Sequence, residues 1–148
     1  MGLRSATLGD LDALLPLLRD FYAEDRHPFD ASAVRAALEG LVRDPALGRA
    51  FLIEDGGALA GYLVVTFGYS LEFRGRDAFL DELYVAPAHR GRGLGREALR
   101  VAEACCLEAG ARALHLEVRH DNEAAQGLYR SWGFGDRENY LMSKPLLS

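Results

Sequence analysis

Apolar positions along the chain repeat with two spacings, and the switch between them divides it into segments. Leu3 to Thr7 reads as a short strand. The spacing then becomes helical: Leu11, Leu14, Leu15, Leu18, Phe21 and Tyr22 fall on one face, with Thr7 placed as an N-cap. Pro16 interrupts that run and predicts a kink or a helix start close by. Asp30 is positioned to cap a second helix with Val34, Ala37, Leu38, Leu41 and Val42 inward, closed by Pro45. After Pro45 the period drops to 2. Ala50 to Glu54 and Leu59 to Phe67 form a predicted hairpin about Asp55-Gly56-Gly57. Ala78 to Val85 is a further strand, entered from a turn at Arg74-Gly75-Arg76-Asp77. A glycine-rich stretch then opens a helix whose stripe is Leu94, Ala98, Val101, Ala102, Cys105 and Ala109, ended by Gly110. Leu114, Leu116 and Val118 alternate with His115, Glu117 and Arg119 in another strand. Asn122 to Trp132 is a short helix stopped by Gly133, and Asn139 to Lys144 a last strand. The order β-α-α-β-β-β-α-β-α-β predicts one α/β domain, a mixed sheet with helices on both faces.

Size and charge narrow the class. The 148 residues suit a single domain with a real core, and no apolar run approaches a membrane span. Residues 1–5 lack the apolar stretch of a signal peptide, which predicts a cytoplasmic protein without a membrane partner. The net charge of −5 argues against general nucleic-acid binding, which requires many neutralised phosphates. Cys105 and Cys106 point about 100° apart on a helix, so they form no ordinary disulfide and, as the only cysteines, no zinc site. They are expected to be small core residues. His89 and His115 stand isolated, and His115 with Glu117 supplies only two ligands, so no metal is expected.

Gly91, Gly93 and Gly95 carry the candidate chemistry. They alternate between a strand end and a helix start, where glycine lets the backbone turn its amides inward on a ligand and the helix N-terminus adds partial positive charge. Arg90, Arg92, Arg96 and Arg100 surround them against one acid, Glu97, a local anion site on a net-negative chain. A Walker A loop is excluded because Arg96-Glu97 follows Gly95. The dinucleotide fingerprint is excluded because Arg96 stands at its last glycine and two helices precede the loop.

Arg90-x-x-Gly93-x-Gly95 after Glu82-Leu83-Tyr84-Val85 resembles the coenzyme A loop of the GNAT N-acetyltransferase superfamily. Asn122-Glu123-x-Ala125-x-x-Leu128-Tyr129-x-x-x-Gly133-Phe134 resembles that family's second signature, about 30 residues on. The resemblance implies a GNAT-like, mostly antiparallel sheet with two splayed central parallel strands, and acetyl-CoA as cosubstrate. It implies that the backbone of Leu83, Tyr84 and Val85 pairs with pantetheine, with the Val85 N–H toward the thioester oxygen. It further implies that Arg90 marks the loop, that amides of Gly91, Arg92, Gly93, Leu94, Gly95 and Arg96 hold the pyrophosphate, and that Asn122 and Tyr129 approach the pantetheine arm and the sulfur.

The same resemblance suggests Glu82 as general base, against a purely structural carboxylate, with Asp81 and His120 as weaker substitutes. Tyr129 is then the acid that protonates the leaving thiolate. The acceptor side would be lined by Tyr22, Glu24, Asp25, His27 and Asp81, with Phe21, Phe29, Tyr69, Glu72 and Asp77 nearby. Acids with aromatics suit a cationic amine, of a small molecule or a peptide. The Phe67-Gly68-Tyr69-Ser70-Leu71-Glu72 run is distantly similar to diamine (spermidine-type) acetyltransferases, whereas Arg74 and Arg76 oppose an amine, and a solvated acidic surface is the plain alternative. A CoA-binding regulatory or interaction module without turnover, or a nucleotide-binding loop, would carry the same glycines. The family also makes a homodimer plausible.

Overall fold

The computed structural model describes residues 2–147 and falls into two compact units, one ending at Glu117 and the other beginning at Val118. The first unit is built on a five-stranded sheet in the order β1-β2-β3-β4-β5: β1 Gly2–Ser5, β2 Gly48–Asp55, β3 Ala58–Ser70, β4 Gly75–Val85 and β5 Leu114–His115. The neighbours pair antiparallel except β4 and β5, which are parallel. Helices α1 (Leu11–Glu24), α2 (Ala31–Arg43) and α3 (Leu94–Glu108) complete this unit.

Strand alternation sorts the two faces. Leu52 pairs with Tyr62 and Tyr62 with Tyr84; Ala50 pairs with Val64 and Val64 with Glu82. On this face Leu52, Tyr62, Val64 and Tyr84 join Leu11, Leu14 and Leu18 of α1 and Leu38 of α2 in one buried cluster. Each fully buried leucine stabilises the fold by roughly 1.5–3 kcal/mol. Ile53, Leu63 and Val65 point the other way and are wholly buried, as are Ala98, Leu99 and Ala102 of α3, which packs on β1, β3 and β4.

Ends are set locally. A single turn of 3-10 helix, Leu8–Asp10, precedes α1, and the Asp10 carboxylate accepts the Thr7 N–H at 2.8 Å. Thr7 therefore opens this turn rather than α1, and α1 runs unbroken through Pro16. Asp30 caps α2 as expected, its Oδ1 accepting the Ala33 N–H at 3.2 Å. The inward row of α3 is Leu94, Ala98, Ala102 and Cys106 with Leu99 beside it. Val101 and Cys105 of the expected stripe are only half-buried, because the i, i+4 row from Leu94 and not its i+3 neighbour faces the sheet. Both cysteines are free; burial raises the Cys105 thiol and pushes that of Cys106 up to about 12.

Two expectations fail at the C-terminal side. The strand expected from Leu114 to Arg119 is two residues long, since its ladder with β4 stops after Phe79↔His115. Residues 139–144 form no strand, and Tyr140 and Met142 are 94% and 90% exposed; alternation alone makes no strand without an edge to pair with. No helix among the described residues is long and apolar enough to cross a membrane.

The β3/β4 register holds two features that shape the site. Val64 pairs with Glu82 but Val65 pairs with Leu80, so Asp81 is an extra residue, a β-bulge. Opposite Val85 stands Gly61, where a Cβ would collide with the Tyr84 carbonyl oxygen. Gly61→Ala is therefore expected to force β3 off β4 and cost about 1–3 kcal/mol in urea unfolding; an unchanged midpoint would show that the pair has room to spread.

Candidate active site

The second half of β4 exposes one row of its backbone groups. The Ala86 N–H donates to the Ala60 carbonyl at 2.8 Å. Hydrogen-bonded and non-hydrogen-bonded pairs alternate in an antiparallel ladder, so Val85/Gly61 and Leu83/Leu63 are non-hydrogen-bonded pairs. The N–H and C=O of Leu83 and Val85 consequently point away from β3, toward the side where β5 pairs only with Ala78 and Phe79. This is the splay expected between the two parallel strands.

A 3-10 turn, Pro87–His89, leads from β4 to the glycine loop. Gly91 and Gly93 have φ of 78° and 84°. A Cβ at either would meet nothing within 4 Å. The glycines are therefore required by the left-handed backbone, not by crowding. Gly93 caps α3, whose first intrahelical bond runs from the Glu97 N–H to the Gly93 carbonyl. Leu94 anchors the turn in the core, while no intrahelical carbonyl can reach the amides of Leu94 and Gly95. The geometry suits a diphosphate held by main chain at a helix N-terminus.

The arginines around the loop are not a bare positive patch. Arg90 donates through Nε to the Val85 carbonyl at 2.7 Å and through Nη2 to both oxygens of Glu24 at 2.9 Å. Its guanidinium also lies 5.7 Å from the Tyr84 ring centroid. Arg92 pairs with Asp55 at 3.0 Å, and Arg100 with Glu97 at 2.6 Å. His89, expected to be isolated, places Nδ1 3.1 Å from Asp55, and that hydrogen bond, then the charge of Arg92, lowers the Asp55 carboxyl. The loop is thus tied to the β2–β3 turn through Asp55 and to the end of α1 through Glu24. Glu24, expected to face an acceptor, instead holds Arg90.

Glu82 lies half-buried beside the bulge, on the α1/α2 face. Tyr22 of α1 donates to its Oε2 and Tyr62 of β3 to its Oε1, both at 2.8 Å. Burial raises the Glu82 carboxyl; the two phenols and His27 pull it down, and Asp81 adds to the rise. Burial, with Glu82 alongside, raises both phenols. Phe21 meets Tyr22, Tyr62 and Tyr84 with ring centroids 5.7–6.2 Å apart, and Phe29 and His27 flank Tyr22. Of the residues expected at an acceptor, Tyr22 and His27 are brought to Glu82, and Asp25 pairs with His27 at 2.9 Å. Asp81 is exposed in the bulge. Asp77 is engaged by His115 at 3.1 Å, so His115 too is partnered. Tyr62 carries no signal as a site residue in the sequence; the β3/β4 register brings its hydroxyl to Glu82.

In the second unit, α4 (Glu123–Ser131) is capped by Asn122, whose Oδ1 accepts the Ala125 N–H at 3.1 Å. Tyr129 lies on α4 edge-on to Phe134, 6.0 Å between centroids, and burial raises its phenol. The His120 carbonyl accepts from the Gln126 side chain. Among the described residues no group of three His, Cys, Asp or Glu could hold a metal ion.

A glycine turn thus links an outward-facing strand edge to a helix start. The acetyltransferase (GNAT) family matches residues 11–134, and the chain belongs to that family. It is 30% identical over 155 aligned positions to streptothricin acetyltransferase of Streptomyces lavendulae, covering 88% of this chain and 79% of that enzyme. It is 33% identical over 82 residues to thialysine N-epsilon-acetyltransferase of Bos taurus, 55% of this chain and 48% of that enzyme. A Bacillus subtilis relative, 39% identical over 92 residues, is likewise spanned over only 57% of its length, so the chain spans about half the length of these two relatives. The crystal structure of an integron cassette protein from the Cole Harbour salt-marsh metagenome superposes with a TM-score of 0.89 at 34% identity, covering 99% of this chain and 91% of that one.

Gly93→Ala is expected to lose about 1–2 kcal/mol in denaturant unfolding from left-handed strain alone. An effect near zero would mean that the loop relaxes out of this conformation.

Proposed function

We propose that the chain, acting as one domain over residues 1–148, transfers the acetyl group of acetyl-CoA to a primary amine of a small molecule or peptide by direct attack in a ternary complex. The observation that carries this reading is the outward row of N–H and C=O groups at Leu83 and Val85 leading into the left-handed turn at Gly91 and Gly93. A bound acetyl-CoA supplies an electrophilic thioester carbonyl. Leu83, Tyr84 and Val85 would align its amide-bearing arm, and the Gly91–Arg96 main chain would hold its phosphates; Asn122 and Tyr129 are assigned to the arm and the sulfur on the resemblance of their segment to the family's second signature. The Arg90 side chain, spent on Glu24 and Val85, contributes to this site as a strap.

The remaining residues handle charge and protons. The Val85 N–H stabilises negative charge building on the carbonyl oxygen. Glu82, directly or through water, takes the proton that makes the ammonium a neutral, attacking amine; the second proton, lost as the nitrogen bonds to the acyl carbon, leaves through solvent, from which Tyr129 regains its own. As the C–S bond breaks, Tyr129 gives its hydroxyl proton to the sulfur. A phenol is protonated at neutral pH at its ordinary value, so its proton is in place for donation, and burial raises it further. A half-buried carboxylate hydrogen-bonded by Tyr22 and Tyr62 and acted on by His27 and Asp81, with Phe21 and Phe29 against the Tyr22 ring, supports a cationic amine as acceptor. A relative named as a thialysine N-epsilon-acetyltransferase supports the same class.

Incubation with acetyl-CoA and a panel of amines, reading released thiol, tests the activity; absence of thiol release together with no heat of acetyl-CoA binding overturns it. Tyr129→Phe is expected to lower turnover by roughly 10²–10⁴. Undiminished turnover removes Tyr129 from the reaction.

A further inference from the structure

Glu82 is held from two directions by hydroxyls that the reaction itself does not use. We infer that Tyr22 and Tyr62 are positioning residues for the base: a phenol from α1 and a phenol from β3 each grip one oxygen of Glu82, fixing the carboxylate and setting the pH at which it accepts a proton. The inference rests on Glu82 being the base.

Geometry carries the argument. A glutamate side chain has three torsions, and one hydrogen bond leaves its carboxylate free to swing. Two donors at 2.8 Å, on opposite oxygens and from elements far apart in sequence, remove that freedom. Each carboxylate oxygen has two acceptor positions, so one on each remains for an incoming proton. Tyr62 cannot drift, because it is 1% exposed and packed between Leu52, Tyr84 and Phe21. Tyr22 is wedged among Phe21, His27 and Phe29.

The electrical surroundings give the clamp a measurable consequence. From β4, Asp81 acts on Glu82 to raise it; from the loop after α1, His27 lowers it; from α1 and β3, the two phenols lower it; burial raises it most. Tyr84 shares the Glu82 face and is acted on by Asp20, Glu24 and Arg90. Hydrogen bonds donated to a carboxylate favour its charged form, so deleting one phenol moves the proton uptake of Glu82 to higher pH. The base works only when ionised, so the acid limb of the rate profile must move up with it.

The test uses the full chain labelled with glutamate carrying carbon-13 in the side-chain carboxyl, the Glu82 resonance being the one lost in Glu82→Gln. Tyr62→Phe and Tyr22→Phe should each raise the Glu82 midpoint by about one pH unit, and the double variant by more. The acid limb of kcat/KM, measured with an amine from the panel, should shift by the same amount, about tenfold less activity per unit on its acid side. The heat of acetyl-CoA binding should stay near that of the parent, and thermal midpoints at neutral pH should fall by only a few degrees, the loss that a one-unit shift carries. A midpoint that does not move overturns the clamp, and a midpoint that moves while the limb stays overturns its role in the reaction. Unchanged turnover in Glu82→Gln overturns the base assignment instead, a result separable from both.

Discussion

Backbone N–H and C=O groups must find partners, and along the second half of β4 strand pairing supplies them on one side only. β3 takes the groups of Glu82, Tyr84 and Ala86; those of Leu83 and Val85 face where β5 has already stopped pairing. The bulge at Asp81 belongs to the same constraint. It shifts the β4 alternation by one residue, so that Leu80 and Ala78 stay buried while Glu82 turns onto the face of Tyr22 and Tyr62. The inserted residue therefore sets a carboxylate among phenols, while the early end of β5 leaves the strand edge unpaired.

Charge is organised to support that edge, not to attract anions in bulk. Asp55, Glu24 and Glu97 each engage an arginine of the loop region. Exposed ion pairs of this kind add little stability singly, but they set positions. Asp55 gathers His89 and Arg92 against the β2–β3 turn, and Glu24 draws Arg90 toward the end of α1. The turn that presents main-chain amides is thus braced from two sides by carboxylates.

Much of this was legible in the residue pattern because it is local. Periodicity marks α1, α2, the β2–β3 hairpin and α3, and the alternating glycines mark a left-handed turn at Gly91 and Gly93. What escaped is what depends on register and distance. Tyr62 reads as one more aromatic of a buried strand until the β3/β4 register brings its hydroxyl to Glu82. The Arg90–Glu24 and Arg92–Asp55 pairs join segments far apart in sequence, so neither periodicity nor motif spacing shows them. The strands expected at 114–119 and 139–144 alternate well, but alternation measures fitness to pair and does not supply a partner: the first keeps two paired residues and the second none.

The capture of the Val85 carbonyl by Arg90 gives the open edge a polarity. At that position the strand offers a hydrogen to share, while its oxygen is already engaged at 2.7 Å. An extended chain of amides laid along β4 could run in either sense on a bare edge. Here the guanidinium fills one of the two acceptor positions of the Val85 oxygen, so this end of the edge is biased toward donating, whereas Leu83 keeps both its groups outside the strand pairing.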